Sequence, residues 1–178
     1  MAWLLSLISA FTLATADALT KKYFSSLSSY EMGLIRLIAV VPWIVAAMFF
    51  IPWVMPDTVF FVCLALGLPL EVLAYISYMR AIKVSPLSLS LPFLAFTPIF
   101  IILTGWLILG ETLTWSGLAG IVLITGGAYC LNFSRISAGL LSPLKSIFTE
   151  EGSRLMLMVA ALYSVTAALG KLAIEHSN

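Results

Sequence analysis

Three ionisable side chains, Glu71, Arg36 and Asp17, fall inside long apolar runs of the sequence. A charge in such a place costs several kcal/mol by membrane-insertion scales, which makes each one a candidate for function. Glu71 lies near the centre of the third apolar run, roughly 12 Å from its basic end at the helical rise. Arg36 lies roughly 9 Å from the same side of the second run. Those depths admit two readings. Glu71 is a pathway carboxylate that takes up a proton or a cationic group, tuned by burial and by Arg36, or Glu71 and Arg36 form a fixed ion pair that only locks helix packing. Asp17 and Lys21 are four apart, which places them on one helical face and predicts a pair at the membrane edge rather than a substrate contact. Tyr75 and Tyr78 suit either substrate contact or an interfacial aromatic belt. Ser88, Ser90 and Thr97 supply polar groups on a run broken by Pro92 and Pro98. Such breaks persist in membranes where neighbours or water satisfy the freed carbonyls, either along a pathway or at a packing kink.

Other chemistries find no residues to carry them. His176 is the only histidine, close to the carboxyl end, and is expected to be solvated. No His/Glu cluster, glycine-rich phosphate loop or Ser/His/Asp set is visible, so neither an enzyme, a metal nor a cofactor is expected. Cys63 and Cys130 both fall in apolar runs and read as small buried hydrophobes rather than a disulfide or metal pair. A formal net charge of +1 gives no reason to expect a nucleic-acid partner.

The elements that position these residues follow from composition. The 178 residues are 62% hydrophobic and 10% charged, well outside the range of soluble domains. A bilayer accommodates that surface, and lipid is the first expected partner. Six apolar segments, at about 2–20, 31–52, 58–79, 86–109, 115–133 and 154–174, approach the roughly 20 residues that cross the hydrocarbon. The chain reads as an all-α polytopic protein of the cell membrane, its first segment retained rather than cleaved as a signal, since Met1-Ala2-Trp3 holds no basic residue. Asp57 and Thr58 suit the cap of the third helix, Ser85-Pro86 an N-cap with proline in the first turn, Gly110 a helix stop and Thr114 the next cap. Glu111, in the tight turn beside that helix start, suits a joint-stabilising role. Ser116, Gly120 and Gly127 suggest a close helix–helix seam. Residues 135–153 form a polar linker, either a short interfacial helix or partly ordered chain.

Basic residues alternate by loop: Lys21 and Lys22, then Arg80 and Lys83, then Arg135, Lys145 and Arg154, with none in the loops between. By the positive-inside rule this places the amino terminus outside. A shift of 150 positions sets Leu5, Leu7, Ala10, Ala18, Leu19 and Lys21 on Leu155, Leu157, Ala160, Ala168, Leu169 and Lys171. Five helices separate the two copies, so the second would start from the opposite face, as in inverted-repeat transporters.

The stretch YISYMRAIKVSPLSLSLPFLAFTPIFIILTGWLILGETLTWSGLAGIVLITGGAYCLN, from Tyr75 to Asn132, resembles the EamA-type drug/metabolite transporter superfamily. The carrying features are an aromatic-rich helix end before Arg80-Ala81-Ile82-Lys83, Pro98 within the fourth helix, and the Leu109-Gly110-Glu111 turn with Leu113. Gly120, Gly126-Gly127 and Arg36 complete them. The resemblance covers residues 1–134 as one five-helix repeat, with 154–178 as the first helix of a second. It implies half of an inverted-repeat 5+5 fold that moves small-molecule substrates by alternating access. It further implies either a fragment of a longer chain or a short form needing a homodimeric or heterodimeric partner, and a cytoplasmic amino terminus, against the charge rule. A membrane assembly subunit that transports nothing, in which Glu71 and Arg36 act only in packing, is the alternative.

Overall fold

Local chemistry sets the helix ends. Ser28 and Glu31 cap each other reciprocally, Glu31 accepting from the Ser28 amide at 2.7 Å and Ser28 from the Glu31 amide at 3.2 Å, and so open a helix. Asp57 accepts from the amides of Val59 and Phe60 at 2.8 and 3.1 Å. Gly110 stops the fourth helix with φ +66°, a left-handed turn that glycine adopts without a Cβ clash. Thr114 accepts from the Gly117 amide at 3.3 Å and opens the fifth helix.

The computed structural model describes residues 2–50, 55–131 and 149–177. Among them the regular elements are helices: α1 (Ala2–Phe24), α2 (Ser29–Met48), α3 (Thr58–Val84), α4 (Leu87–Leu109), α5 (Trp115–Leu131) and α6 (Glu151–Glu175). α1 to α4 and α6 are long and apolar enough to cross a membrane. The fifth expected crossing, α5, has an apolar helical stretch of Trp115–Ala128 within the described residues, short of the roughly 20 residues a span needs. The expected interfacial helix of the linker falls at 136–148, outside the described residues.

Two boundaries differ from expectation. α3 runs on to Val84 instead of stopping near 79, because Arg80 and Lys83 extend the helix past its apolar span. Ser85 is the C-cap of α3 rather than an N-cap, extended at φ −127° and ψ 151°, as steric conflict with the following Pro86 requires. α4 is irregular in its course. Leu91–Phe96 is wound as a 3-10 helix, and Gly105–Leu109 is π-wound. The break falls where Pro92 and Pro98 remove amide donors.

α6 lies along α3 and also against α4. The core joins Met32 of α2, Tyr78, Met79 and Ile82 of α3, Phe93 of α4, and Met156 and Val159 of α6. Gly152 permits the approach of α6: a Cβ there would stand inside contact distance of the Ser85 side chain and 3.3 Å from the Ala81 carbonyl oxygen. Thr104 Oγ1 donates to the Ser164 carbonyl at 3.1 Å and ties α4 to α6. α1 is mostly bare, with Trp3, Leu4, Leu7 and Phe11 exposed, a surface suited to lipid. The expected seam on α5 meets no neighbour here, since added Cβ atoms at Gly120 and Gly127 would find open space. Cys63 is buried as expected, whereas Cys130 is exposed, because α5 packs against the bundle on one side only.

Candidate functional site

Asp17, on α1, is 2% exposed. Arg36 of α2 donates to its Oδ1 at 2.6 Å, and the Tyr78 hydroxyl of α3 donates to its Oδ2 at 2.5 Å. A carboxylate so deep is tolerable only because both oxygens are engaged and its charge is cancelled by the guanidinium. Tyr78 is therefore an interior ligand of Asp17 and not a member of an interfacial belt. The Tyr75 hydroxyl donates to the Gly33 carbonyl at 3.3 Å and bridges α3 to α2 beside this cluster.

The pairs expected from spacing are replaced by others. Arg36 pairs with Asp17 and not with Glu71. Lys21 leaves Asp17 and donates instead to the carbonyls of Ile82 and Ser85, each at 2.6 Å. Those acceptors are free carbonyls at the C-terminus of α3, where a cation is favoured by the helix dipole. Lys83 makes the complementary bond to the Leu27 carbonyl at 2.6 Å. Sequence spacing found the i,i+4 geometry of Asp17 and Lys21, but these acceptors in α3 lie more than sixty positions away in the chain.

Glu71 stands halfway along α3, exposed, with no salt-bridge partner among the described residues. It is shared by two cavities. One, of about 620 Å³, lies between α2 and α3 and runs along α3 from Leu68 to Met79, toward the end bearing Arg80 and Lys83. The other, of about 190 Å³, lies between α3 and α6 and runs along α3 from Glu71 back to Cys63, toward the opposite end. Tyr75 lines the first, while Gly67 and Gly170 help line the second. Tyr163 of α6 lies within Coulombic range of Glu71.

The α4 candidates do not join them. Ser90 is fully buried and donates to the Pro86 carbonyl at 3.3 Å, and Thr97 donates to the Leu94 carbonyl at 2.6 Å. Both bonds satisfy local polar groups around the irregular winding, next to Pro98. Ser88 and Pro92 line a separate groove of about 500 Å³ with Ile124 and Ala128 of α5. Glu111 pairs with Lys171 of α6, a partner the sequence did not specify. At the other end of α6, Glu151 pairs with Arg80 of α3 at 2.5 Å. His176 accepts the Asp57 amide on its backbone carbonyl at 3.2 Å, and its ring nitrogen Nδ1 lies 2.9 Å from the Leu172 carbonyl. Among the described residues no group of three His, Cys, Asp or Glu side chains can hold a metal ion.

A helical bundle with this many apolar spans, and with its charges paired inside or gathered at the ends, defines a multi-pass membrane protein. The family model of the EamA-like transporter family matches residues 1–133, and the chain belongs to that family. No curated protein and no solved structure matches it.

Proposed function

We propose that this chain moves small metabolites or drugs across the inner or plasma membrane by alternating access, with Glu71 as a proton-binding carboxylate on the pathway. Residues 1–134 form its first five-helix repeat, 135–153 a linker, and 154–178 the opening helix of a second repeat. The rest of that repeat, or a partner chain, completes the cavity.

One observation carries this reading: Glu71 belongs to both the cavity that runs toward one end of α3 and the cavity that runs toward the other. A single carboxylate reached in turn from opposite ends can load on one side and unload on the other. Its freedom from Arg36 favours the carrier over the assembly subunit, because a packing ion pair would have to engage Glu71. Tyr75, on its own helix, lines the same cavity as Glu71, and Tyr163 of α6 lies within Coulombic range of it. Arg36 and Asp17 neutralise each other, so neither is spent on Glu71.

The test is accumulation of radiolabelled amino acids, nucleosides and amines in proteoliposomes with an imposed pH gradient. At least one solute accumulates with the wild-type protein, and Glu71→Gln abolishes its dependence on the gradient while the folded yield stays near normal. If no solute accumulates, the carrier reading fails. If the gradient dependence survives in Glu71→Gln, the role given to this carboxylate fails.

A further inference from the structure

The Glu111–Lys171 pair stands at the mouth of a cavity of about 300 Å³ enclosed by the end of α4, the α4–α5 turn, α5 and α6. Ile101, Ile102 and Leu109 of α4, Leu113 of the turn, Ile121 of α5 and Ala168 of α6 wall it. Along α4 the lining runs from Leu109 back to Ile101, eight residues or about 12 Å deep at the helical rise. The π-wound stretch Gly105–Leu109 forms part of that wall, a winding often found at functional sites. A Cβ added at Gly105 would meet open space, so the glycine leaves the cavity unfilled.

The level of the mouth follows from the tryptophans. Trp3 opens α1, Trp43 comes late in α2, Trp106 closes α4 and Trp115 opens α5, and all four are exposed. Each lies toward the end of the bundle opposite Arg80 and Lys83, as the alternating helix directions require. Exposed indoles gather at the headgroup layer of a bilayer. The Glu111–Lys171 pair therefore sits at that layer, and the apolar cavity descends from it into the hydrocarbon.

The pair is not saturated. Lys171 donates to Oε1 of Glu111, which leaves Oε2 and two ammonium hydrogens for other partners. Both side chains are exposed. A mouth that presents one carboxylate and one ammonium over an apolar shaft complements a ligand with both charges at its head and hydrocarbon below.

We propose that this cavity holds a zwitterionic phospholipid with a primary ammonium, a phosphatidylethanolamine. Its ammonium donates to Glu111, its phosphate accepts from Lys171, and one acyl chain enters the shaft. A net anionic headgroup would face the Glu111 carboxylate without an ammonium to answer it. A choline headgroup carries the same charges but has no N–H to donate. The lipid bridges the α4–α5 turn to α6, so it steadies the joint between the first five helices and the sixth. The site is separate from Glu71 and stands whether or not that carboxylate carries a proton.

Lipid-dependent thermal unfolding tests it. The full chain, stripped of lipid in detergent, is titrated with phosphatidylethanolamine, phosphatidylcholine or phosphatidylglycerol of identical chains. Phosphatidylethanolamine raises the unfolding midpoint saturably and more than the other two, as a ligand of the folded state does. Glu111→Gln, measured from its own lipid-free midpoint, loses that preference over phosphatidylcholine. Gly105→Leu places a side chain in the shaft on a backbone already helical at φ −63°, keeps the ion pair, and loses the saturable rise. Ile121→Trp fills the shaft from α5 if Gly105→Leu does not fold. Equal rises with all three lipids would mean annular lipid only and overturn the proposal. An equal rise with glycerophosphoethanolamine, which has the headgroup without chains, would overturn it in favour of a soluble zwitterion. A preference that survives in Glu111→Gln would overturn the role of the ion pair.

Discussion

Asp17→Ala destabilises the folded protein by about 3 kcal/mol, read as a lowered unfolding midpoint in detergent. The loss comes from what is left behind. Arg36 keeps a charge that is four-fifths buried, and the Tyr78 hydroxyl loses its acceptor in a core position. Removing one member of a buried pair costs more than the pair contributes, because the survivor stays desolvated. Asp17→Asn, which keeps an acceptor for Tyr78 but gives up the charge, lies between the two. The double variant Asp17→Ala, Arg36→Met regains part of the loss, since no unpaired charge remains. A double variant as unstable as the sum of its singles would show that the pair is not coupled and would remove this explanation.

Gly152→Ala costs about 2 kcal/mol by overpacking and loosens the start of α6. The added methyl collides with the Ser85 side chain at the end of α3, and the Ala81 carbonyl 3.3 Å away closes the other side. Backbone cannot step aside as a flexible side chain does, so α6 must lift. The Arg80–Glu151 pair beside it is then stretched. Ser85→Gly in the same chain restores much of the stability by vacating the space, whereas Ser85→Ala does not, since its Cβ is itself part of the collision. Thermal unfolding of the three variants beside the wild type decides between them; an unaltered midpoint in Gly152→Ala would mean that the helices do not approach this closely.

Several helix ends were legible because they rest on local chemistry. Asp57, Gly110 and Thr114 act within three or four residues of themselves, and each does what its type predicts. The family was legible for a similar reason, since the Leu109-Gly110-Glu111 turn and the flanking glycines keep their order along the chain. Pairing across helices was not. Asp17 had Lys21 within four residues and a second cation, Arg36, at comparable depth, and spacing favoured the nearer one. What decided against it was the exposed C-terminus of α3, whose carbonyls draw Lys21 away. Glu71 was found from its depth alone, but its place between two cavities depends on α6, which comes from a distant part of the chain. The glycines of α5, bare where a seam was expected, show that a small-residue pattern specifies a close approach without specifying the neighbour.

α6 is fastened to the preceding helices at both extremities, by Glu151 on Arg80 and by Lys171 on Glu111, with Thr104 and Ser164 bonded between them. Its adhesion therefore does not depend on the covalent tether that precedes it. The protein is in effect divisible: a chain severed between α5 and α6 still has matching surfaces with which the two pieces recognise one another, and the sixth helix would behave as a small subunit that reassembles with the first five.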